Sequence, residues 1–448
     1  MKQNMNKIII LSLFLCIHVG YSQSYMGYSM DNFSGLHNTI HNPGNLADSR
    51  VKWEFNLFSV SGTLATDYTN ITLGNISDFL GESGFEGLDR FPSDQNNFLL
   101  DADIVGPSLQ FSLNEKSGLA LITRIRALSN FNNVNGSLFE SIYDGFPMGS
   151  FAFEQNNLDF ATHAWGEVGL SYGRVIVDNP NHLVKGGLTL KYLIGGGAVQ
   201  GGSNALMGNF DNTTGQVRLD GDISYALTID DGTNSNDYFG ELAPGFGADI
   251  GFVYEFRNTK SIAPSNNNNA RAFNQYKLKI GVSILDLGSI NYNDTEITDY
   301  AINANVNAQD LETDFIDVIE DNATVSTTQQ DVKWSLPTTL QLNLDYSFTS
   351  KLYVNLNVGQ GLVNKNEFFN NNRLNLITLT PRFESRVFGA YLPISHSSLS
   401  NTAIGLGFRL GPLTIGSSSV LSNLMGNSSQ LANVFLGLKI PVYHKRNL

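Results

Sequence analysis

Apolar and polar residues alternate along several stretches of the chain. In Leu340–Phe348, every second residue is Leu, Tyr or Phe, and the residues between them are Gln, Asn, Asp and Ser. A similar period of two occurs in Lys185–Ile194, Phe246–Phe256, Tyr276–Ile284 and Lys351–Val358. Successive side chains of a β-strand point to opposite faces of a sheet, so this pattern predicts strands with one apolar and one polar face.

The predicted strands are long enough to cross a bilayer. They run for about 9–13 residues, and a tilted transmembrane strand needs roughly 9–11. Their polar faces carry Lys, Asp, Glu, Gln and Asn, as the lumen side of a membrane barrel does. A backbone in lipid must satisfy its hydrogen bonds internally, so a sheet there must close on itself. The sequence therefore predicts an all-β protein, a transmembrane antiparallel β-barrel of about 14 strands in the cell outer membrane.

The same pattern gives the order of strands and loops. The fourteen principal strands are predicted at residues 51–61, 106–114, 117–128, 161–175, 184–196, 243–257, 275–286, 336–348, 351–360, 374–384, 387–395, 401–410, 412–420 and 431–443. Long links at 62–105, 129–160, 197–242, 287–335 and 361–373 alternate with short ones, except for the long link 258–274. Because outer-membrane barrels have short periplasmic turns and long outer loops, both termini are expected in the periplasm. Val217–Ile229 also alternates and is assigned to a hairpin within the third outer loop.

Composition narrows the class of protein further. Of the 448 residues, only 15% are charged, against about 25% in an average soluble domain. The formal net charge of −14 argues against nucleic acid as a partner, because binding it requires clustered Lys and Arg. Cys16 is the only cysteine.

The N-terminus has the pattern of a secretory signal peptide. Lys2 and Lys7 precede the apolar run Ile8–Val19, which is too short to span a membrane well. Small residues before Gln23 predict cleavage after Ser22, although Cys16 leaves a lipoprotein signal as an alternative. The predicted division is a signal peptide at 1–22, an N-terminal periplasmic or plug segment at 23–50, the barrel at 51–443 and a tail at 444–448.

Candidate chemistry is sparse. His37 and His41 are spaced four apart but lack an HExxH motif or a third metal ligand. The acidic stretch 230–237 hints at calcium but lacks the terminal Glu of an EF-hand loop. Ser171 and His163 are candidates for a hydrolase, with nothing in their spacing to mark them. No enzyme activity, metal or cofactor is therefore expected. Ile76–Phe91 and Ala308–Asn322 have helical spacing and are expected to form either a lid or ordinary loop packing.

The segment before the first strand carries a short motif. It includes Asn42 and Pro43 and leads directly into the strand that begins at Val51. Here the chain resembles the long-chain fatty-acid transporter family, PorV-like barrels of type IX secretion and relatives of unknown function. The resemblance implies an N-terminal plug containing Asn42 and Pro43, and passive transport of a hydrophobic or other small molecule. The alternative is a structural or accessory barrel that binds protein partners through its outer loops, in secretion. Without the resemblance, Asn42-Pro43 is equally well explained as a turn.

Overall fold

One antiparallel sheet closes on itself to form a barrel. The computed structural model describes residues 25–72, 85, 88–228, 242–257, 270–313, 315–364, 368–426 and 429–445. The strand segments are β1 (Val51–Thr66), β2 (Asn96–Val105), β3 (Ser108–Ser112), β4 (Ser117–Val134), β5 (Phe151–Asp178), β6 (His182–Asp211), β7 (Gln216–Leu227), β8 (Ala243–Arg257), β9 (Tyr276–Asn307), β10 (Ala323–Ser335), β11 (Thr339–Ser347), β12 (Leu352–Gly361), β13 (Leu376–Glu384), β14 (Phe388–Tyr391), β15 (Ile394–Ser397), β16 (Ala403–Ile404), β17 (Leu406–Leu410), β18 (Leu413–Ser417) and β19 (Leu431–Tyr443). The pairing of β1 with β19 closes the wall.

Fourteen strands form this wall, as predicted. Three of them are each made of two segments: β2 with β3, β14 with β15, and β16 with β17. The interruptions fall at Gly106-Pro107, Leu392-Pro393 and Gly405, and proline cannot donate a ladder hydrogen bond. β7 and most of β10 lie beyond the wall, on the outer side.

The wall is apolar outside and polar inside. In β11, Leu342 and Leu344 are 37% and 42% exposed on the outer surface, whereas Gln341 and Asp345 are buried. Soluble proteins show the opposite arrangement, with charged side chains outside. A closed sheet with an apolar outer surface is a transmembrane barrel, and closed antiparallel barrels of this kind belong to the outer membrane.

The predicted outer loops are partly wrong, because several strands continue far beyond the membrane. β5 begins at Phe151 instead of residue 161, β6 ends at Asp211 instead of 196, and β9 ends at Asn307 instead of 286. The outer parts of β5, β6, β7, β9 and β10 pair in that order and form what we call the outer extension. β7 covers the stretch that was assigned to an outer hairpin. Bulges such as the one between Gly202 and Leu206 break the alternation and explain why the pattern missed these continuations.

Helices are few and short. They are α1 (Leu36–His41), α2 (Gly136–Asp144), α3 (Ala308–Thr313), α4 (Phe315–Asn322) and α5 (Val420–Met425), with 3-10 turns at Pro43–Leu46 and Ala270–Ala272. None of the described helices is long and apolar enough to cross a membrane. The predicted helix at 308–322 corresponds to α3 and α4, whereas most of 76–91 lies outside the described residues. Side chains of α3 and α4 pack with Phe153, Val217 and Tyr300 in an apolar core of the outer extension.

Aromatic side chains near the strand ends, which form girdles at the membrane interfaces of outer-membrane barrels, only partly face lipid here. Tyr172, Tyr192, Phe256 and Phe348 are between 39% and 59% exposed. Tyr276, Tyr353 and Tyr391 are buried inside the barrel instead. The hydroxyl groups explain the difference: Tyr276, for example, donates to Asp345 of the neighbouring strand β11 at 2.6 Å, inside the lumen.

A charge on the lipid-facing surface tests the orientation of the wall. We expect Leu344→Arg to destabilise the barrel by about 2–4 kcal/mol, because the residue lies near the middle of a wall strand and faces hydrocarbon. Met207→Arg is the matched control, since Met207 is 49% exposed but lies in the outer extension. Stability is measured by unfolding in urea from lipid vesicles, and equal losses in the two variants would contradict the orientation.

Candidate functional site

The N-terminal segment fills one part of the lumen. Residues 25–50, which we call the plug, contain α1 and the 3-10 turn Pro43–Leu46. Tyr28, Leu36 and Leu46 are at most 1% exposed, and they cluster with apolar side chains of the wall such as Phe435. The plug therefore blocks this level of the barrel by close packing.

Asn42 attaches the plug to the wall. Its Nδ2 atom donates to the backbone oxygens of Phe252 and Val282, both at 3.2 Å, on adjacent strands β8 and β9. Its Oδ1 atom accepts from the backbone nitrogen of Gly44 at 2.9 Å and so caps the 3-10 turn. One side chain thus fixes both the shape of the turn and its position on the wall.

Glycines in the wall make room for the turn. A Cβ atom at Gly187 would lie 2.2 Å from the backbone carbon of Pro43, and one at Gly251 would lie 2.2 Å from Oδ1 of Asn42. A Cβ at Gly173 would meet Pro43 and Leu46 of the turn and Ala47, which follows it, at about 3 Å. The backbone of the plug can approach the sheet only because these positions have no side chain.

Buried ion pairs hold the plug from the other side. Asp31 accepts from Nε of Arg409 at 2.9 Å. Glu54 at the start of the wall accepts from the backbone nitrogen of Leu36 at 2.9 Å and from Nζ of Lys439 at 2.8 Å. Removing one partner of such a pair leaves an uncompensated buried charge and typically costs about 3–5 kcal/mol. These contacts make the plug a fixed part of the barrel.

A layer of charged side chains crosses the lumen beyond the plug. This ionic layer consists of Asp101, Asp103, Arg124, Arg126, Glu167, Lys191, Asp249, Asp286 and Arg373, all buried. A bulge in β9 opposite Asp249 gives Asp286 a positive φ of 60°. Oδ1 of Asp286 accepts from Arg126 at 2.8 Å and from Lys191 at 2.7 Å. Opposite charges thus neutralise each other across the width of the barrel.

Little free space remains between the plug and the ionic layer. A cavity of about 40 Å³ is lined by Tyr25, His37 and His41 of the plug and by Arg124 and Lys191 of the layer, among others. That volume accommodates a few water molecules. Burial lowers the pKa of His37 and that of His41 to about 3, so both plug imidazoles are neutral at neutral pH.

Apolar side chains form a second barrier on the outer side of the ionic layer. The outer apolar cluster includes Trp165, Leu193, Ile290, Tyr292, Trp334 and Leu336, each at most 4% exposed. The guanidinium of Arg126 lies over the ring of Trp165 at 4.6 Å and joins the cluster to the ionic layer. Such a cluster is unusual because the lumen of an outer-membrane barrel is normally polar.

An inward-folded segment covers this cluster. Residues 368–374, which we call the lid, connect β12 to β13, and their Phe369 and Leu374 pack against the cluster. Asn371 is fully buried. Its Nδ2 donates to the backbone oxygen of Ala161 at 2.8 Å, and its Oδ1 accepts from Nε1 of Trp334 at 3.0 Å. Residues 368–373 of the predicted outer loop thus turn into the barrel, which the alternation pattern did not indicate.

The matching sequence family is of unknown function. The family, DUF5723, matches residues 43–418. The chain belongs to this family. A search of curated proteins found no match. Among solved structures, this DUF5723 member is similar to the toluene transporter TbuX of Ralstonia pickettii (11% identity, TM-score 0.43, 92% of this chain and 95% of that chain). It is also similar to the toluene transporter TodX of P. putida (9% identity, TM-score 0.44, 92% and 95%) and to the monoaromatic hydrocarbon channel CymD (10% identity, TM-score 0.41, 95% and 98%).

The structure separates the candidate catalytic residues of this DUF5723 barrel. His163 and Ser171 lie eight positions apart in β5, which is roughly 26 Å along a strand, so they cannot form a nucleophile–base pair. His163 instead bonds the hydroxyl of Tyr292 at 2.9 Å beneath the lid. Nε2 of His41 contacts Nδ2 of Asn357 at 2.8 Å, while His37 packs between Tyr25 and Tyr28. The described residues contain no group of three side chains suited to a metal, and 230–237 lies outside them.

Loss of the Asn42 side chain tests the attachment of the plug. We expect Asn42→Ala to weaken plug docking by about 1–3 kcal/mol, because two wall carbonyls and the Gly44 amide lose a partner. That corresponds to roughly a 5- to 150-fold rise in the undocked fraction, seen as faster hydrogen exchange at the backbone amides of the plug. Asn45→Ala is the control, since Nδ2 of Asn45 bonds Asn38 within the plug at 3.4 Å. Equal exchange rates in the two variants would contradict the assignment.

A side chain at Gly187 tests the close approach of the plug. We expect Gly187→Val to prevent seating of the turn at Pro43, because the added Cβ overlaps the backbone there, and to raise hydrogen exchange at the plug amides above that of Asn42→Ala. Gly149→Val, where an added Cβ meets nothing within 4 Å, is the control. A Gly187→Val barrel whose plug amides exchange as slowly as those of the parent protein would show that the plug does not sit as described.

Proposed function

We propose that this barrel allows a small apolar molecule to cross the outer membrane, by displacing the lid and entering the outer apolar cluster. The observation that carries the proposal is the cluster itself, a set of buried aromatic and aliphatic side chains inside a lumen that is otherwise polar. The cluster is reached from outside by moving one loop segment, the lid, whereas the plug and the ionic layer close the inner side.

The cluster discriminates against ions and polar solutes. A charged or strongly hydrogen-bonded solute would have to shed its water without finding partners among these side chains, which costs several kcal/mol. An apolar solute gains roughly 25 cal/mol for each Å² that it buries there. The same packing thus seals the barrel against ions and offers apolar molecules a favourable environment.

The lid is held by contacts that water can replace. Asn371 makes neutral hydrogen bonds, and each of these contributes only about 0.5–1.5 kcal/mol net. A single charged contact, from Nη2 of Arg373 to Asp101 at 3.1 Å, adds to them. The lid is therefore easier to displace than the plug, which is held by several buried ion pairs and by close backbone contact.

The plug and the ionic layer block a route from the cluster along the barrel axis. We therefore propose that the molecule leaves laterally, through the wall. The wall is interrupted at Gly106-Pro107, where the side chain of Asn56, rather than the backbone of its strand β1, donates to the oxygens of Val105 and Gly106 at 3.1 and 3.0 Å. A side-chain amide can rotate away without unpairing the ladder. This favours the interruption as the lateral exit.

Tryptophan fluorescence tests entrance of an apolar molecule. Trp53 faces lipid, so a Trp53→Phe background leaves only Trp165 and Trp334 as reporters. We expect bromobenzene to quench their emission in a saturable manner, whereas the polar quencher acrylamide has little effect. Asn371→Ala should speed the bromobenzene response roughly fivefold or more, because the lid loses about 1 kcal/mol or more of hydrogen bonding.

Flux completes the test. Proteoliposomes containing the parent protein should accumulate a lipophilic aromatic compound faster than empty liposomes, and Asn371→Ala should be faster still. Asn372→Ala, at the other neighbour of Asn371, serves as the control, because the hydrogen bonds that join Asn372 to Asn130 come from its backbone. Absence of saturable quenching, together with unchanged flux across a panel of lipophilic compounds, would overturn the proposal.

A further inference from the structure

The outer extension ends in a strand with one edge unpaired. Within the described part of the chain, the first eight residues of β10, Ala323–Gln330, pair only with Ile302–Thr295 of β9. Thr324–Asp331 is exposed on both faces of the sheet. A strand of this kind presents a row of free backbone donors and acceptors, at alternate residues, to any extended chain.

The opposite edge of the same sheet is protected. There the side chain of Asn133 donates to the backbone oxygen of Asn157 at 2.8 Å, and that of Asn135 donates to the oxygen of Glu154 at 3.2 Å. Gln155 adds bonds to the backbone of both asparagines. The asparagine side chains thus occupy backbone oxygens of β5 that would otherwise accept hydrogen bonds from an added strand. One edge of the outer extension is therefore closed by its own side chains, and the other is open.

β10 also lacks the features that usually prevent edge pairing. From Ala323 to Gln330 it contains no proline, no lysine and no bulge, and the first register shift comes between Gln330 and Val332. The exposed residues are Thr, Val, Ser and Gln, which suit a strand. The wall below leaves no such edge, because it closes through β1 and β19.

The charge around this edge selects the partner. Residues 294–331 contain ten acidic residues and no Lys or Arg. Asp321 and Asp331 lie at the two ends of the free edge and are exposed. A second copy of the same acidic edge would be repelled, whereas an extended chain with Lys or Arg would be attracted.

We propose that the outer edge of β10 is a strand-addition site for a basic, extended polypeptide segment of another protein. Backbone hydrogen bonds to Thr324–Gln330 would supply register and affinity, and the acidic surroundings would select basic sequences. This inference is independent of the proposed transport, because the site lies outside the membrane and away from the lid and plug.

Binding of a designed peptide to the full-length protein in detergent provides the test. The probe is the nonapeptide KTKVKTKVK with a fluorescent label, and binding is followed by anisotropy. The controls are the acidic peptide ETEVETEVE and a KTKVKTKVK peptide with N-methyl groups at alternate residues, which keeps the charge but removes the strand's donors. We expect only the unmodified basic peptide to bind, with affinity that falls as salt rises.

Two kinds of variant locate the site. The backbone N–H groups of Thr327 and Thr328 point to opposite sides of β10, one toward β9 and one toward the unpaired edge. Thr327→Pro and Thr328→Pro each remove one of these donors. The variant that leaves thermal stability unchanged has lost the donor on the unpaired edge. It should weaken binding about tenfold or more. Asp321→Asn with Asp331→Asn should weaken it about threefold or more, whereas Glu154→Gln with Asp211→Asn, across the sheet, should not.

Three results would overturn the inference. They are no binding of the basic peptide at millimolar concentration, equal binding of its N-methylated form, and equal binding to the edge proline variant. Concentration-dependent dimers that disappear in the edge proline variant would instead assign the edge to a second copy of the chain. Loss of peptide binding with unchanged flux would leave the transport proposal intact, and the reverse result would leave the edge site intact.

Discussion

Charge pairing inside the lumen is the constraint on which the rest of this structure depends. A barrel in lipid must direct its polar side chains inward, and here the lumen is filled rather than open to water. Each buried charge must then find a partner of opposite sign. The ionic layer meets this demand by crossing the whole barrel, as when Asp286 receives both Arg126 and Lys191. The bulge that gives Asp286 its positive φ places this carboxylate within hydrogen-bonding distance of both cations.

The plug follows from the same demand. Asp31 of the plug would be costly without Arg409 of the wall, and Asp48 of the plug would be costly without Arg257 of the wall. Each of these arginines would likewise be costly without its acid. The plug segment and the wall are therefore stable only together. The wall has glycine at positions 173, 187 and 251, and the plug backbone occupies the space that side chains would fill there. Packing and charge pairing thus fix the same position of the plug.

The sequence predicted the wall well because alternation is local and each wall strand has lipid on one side. It predicted fourteen strands and the strand β7, and its motif residues Asn42 and Pro43 lie where plug and wall meet. It missed Asp286, Trp334 and Asn371, since their roles depend on partners 37 to 210 positions away along the chain. It also ended β5, β6 and β9 too early, because bulges and two-sided exposure interrupt the period of two. Only the short run of asparagines at 370–372 could have marked the lid, as amides often replace backbone partners in loops.

The lumen is closed at an inner and an outer level by different kinds of contact, so the two ends of the barrel are not equivalent. The inner closure combines ion pairs, close backbone contact and the cap made by Asn42, so opening it would expose charges and break several buried contacts at once. The outer closure consists of Phe369 and Leu374 on an apolar cluster, of neutral bonds from Asn371 and of one charged contact, from Arg373 to Asp101. Under the proposed function, an apolar molecule replaces the first contacts and water the others, while the charge pairs that join the plug to the wall stay intact. Under the proposed function, such a barrel would exchange apolar molecules with its surroundings from the outer side and through the wall, while the plug and the ionic layer keep the inner side closed.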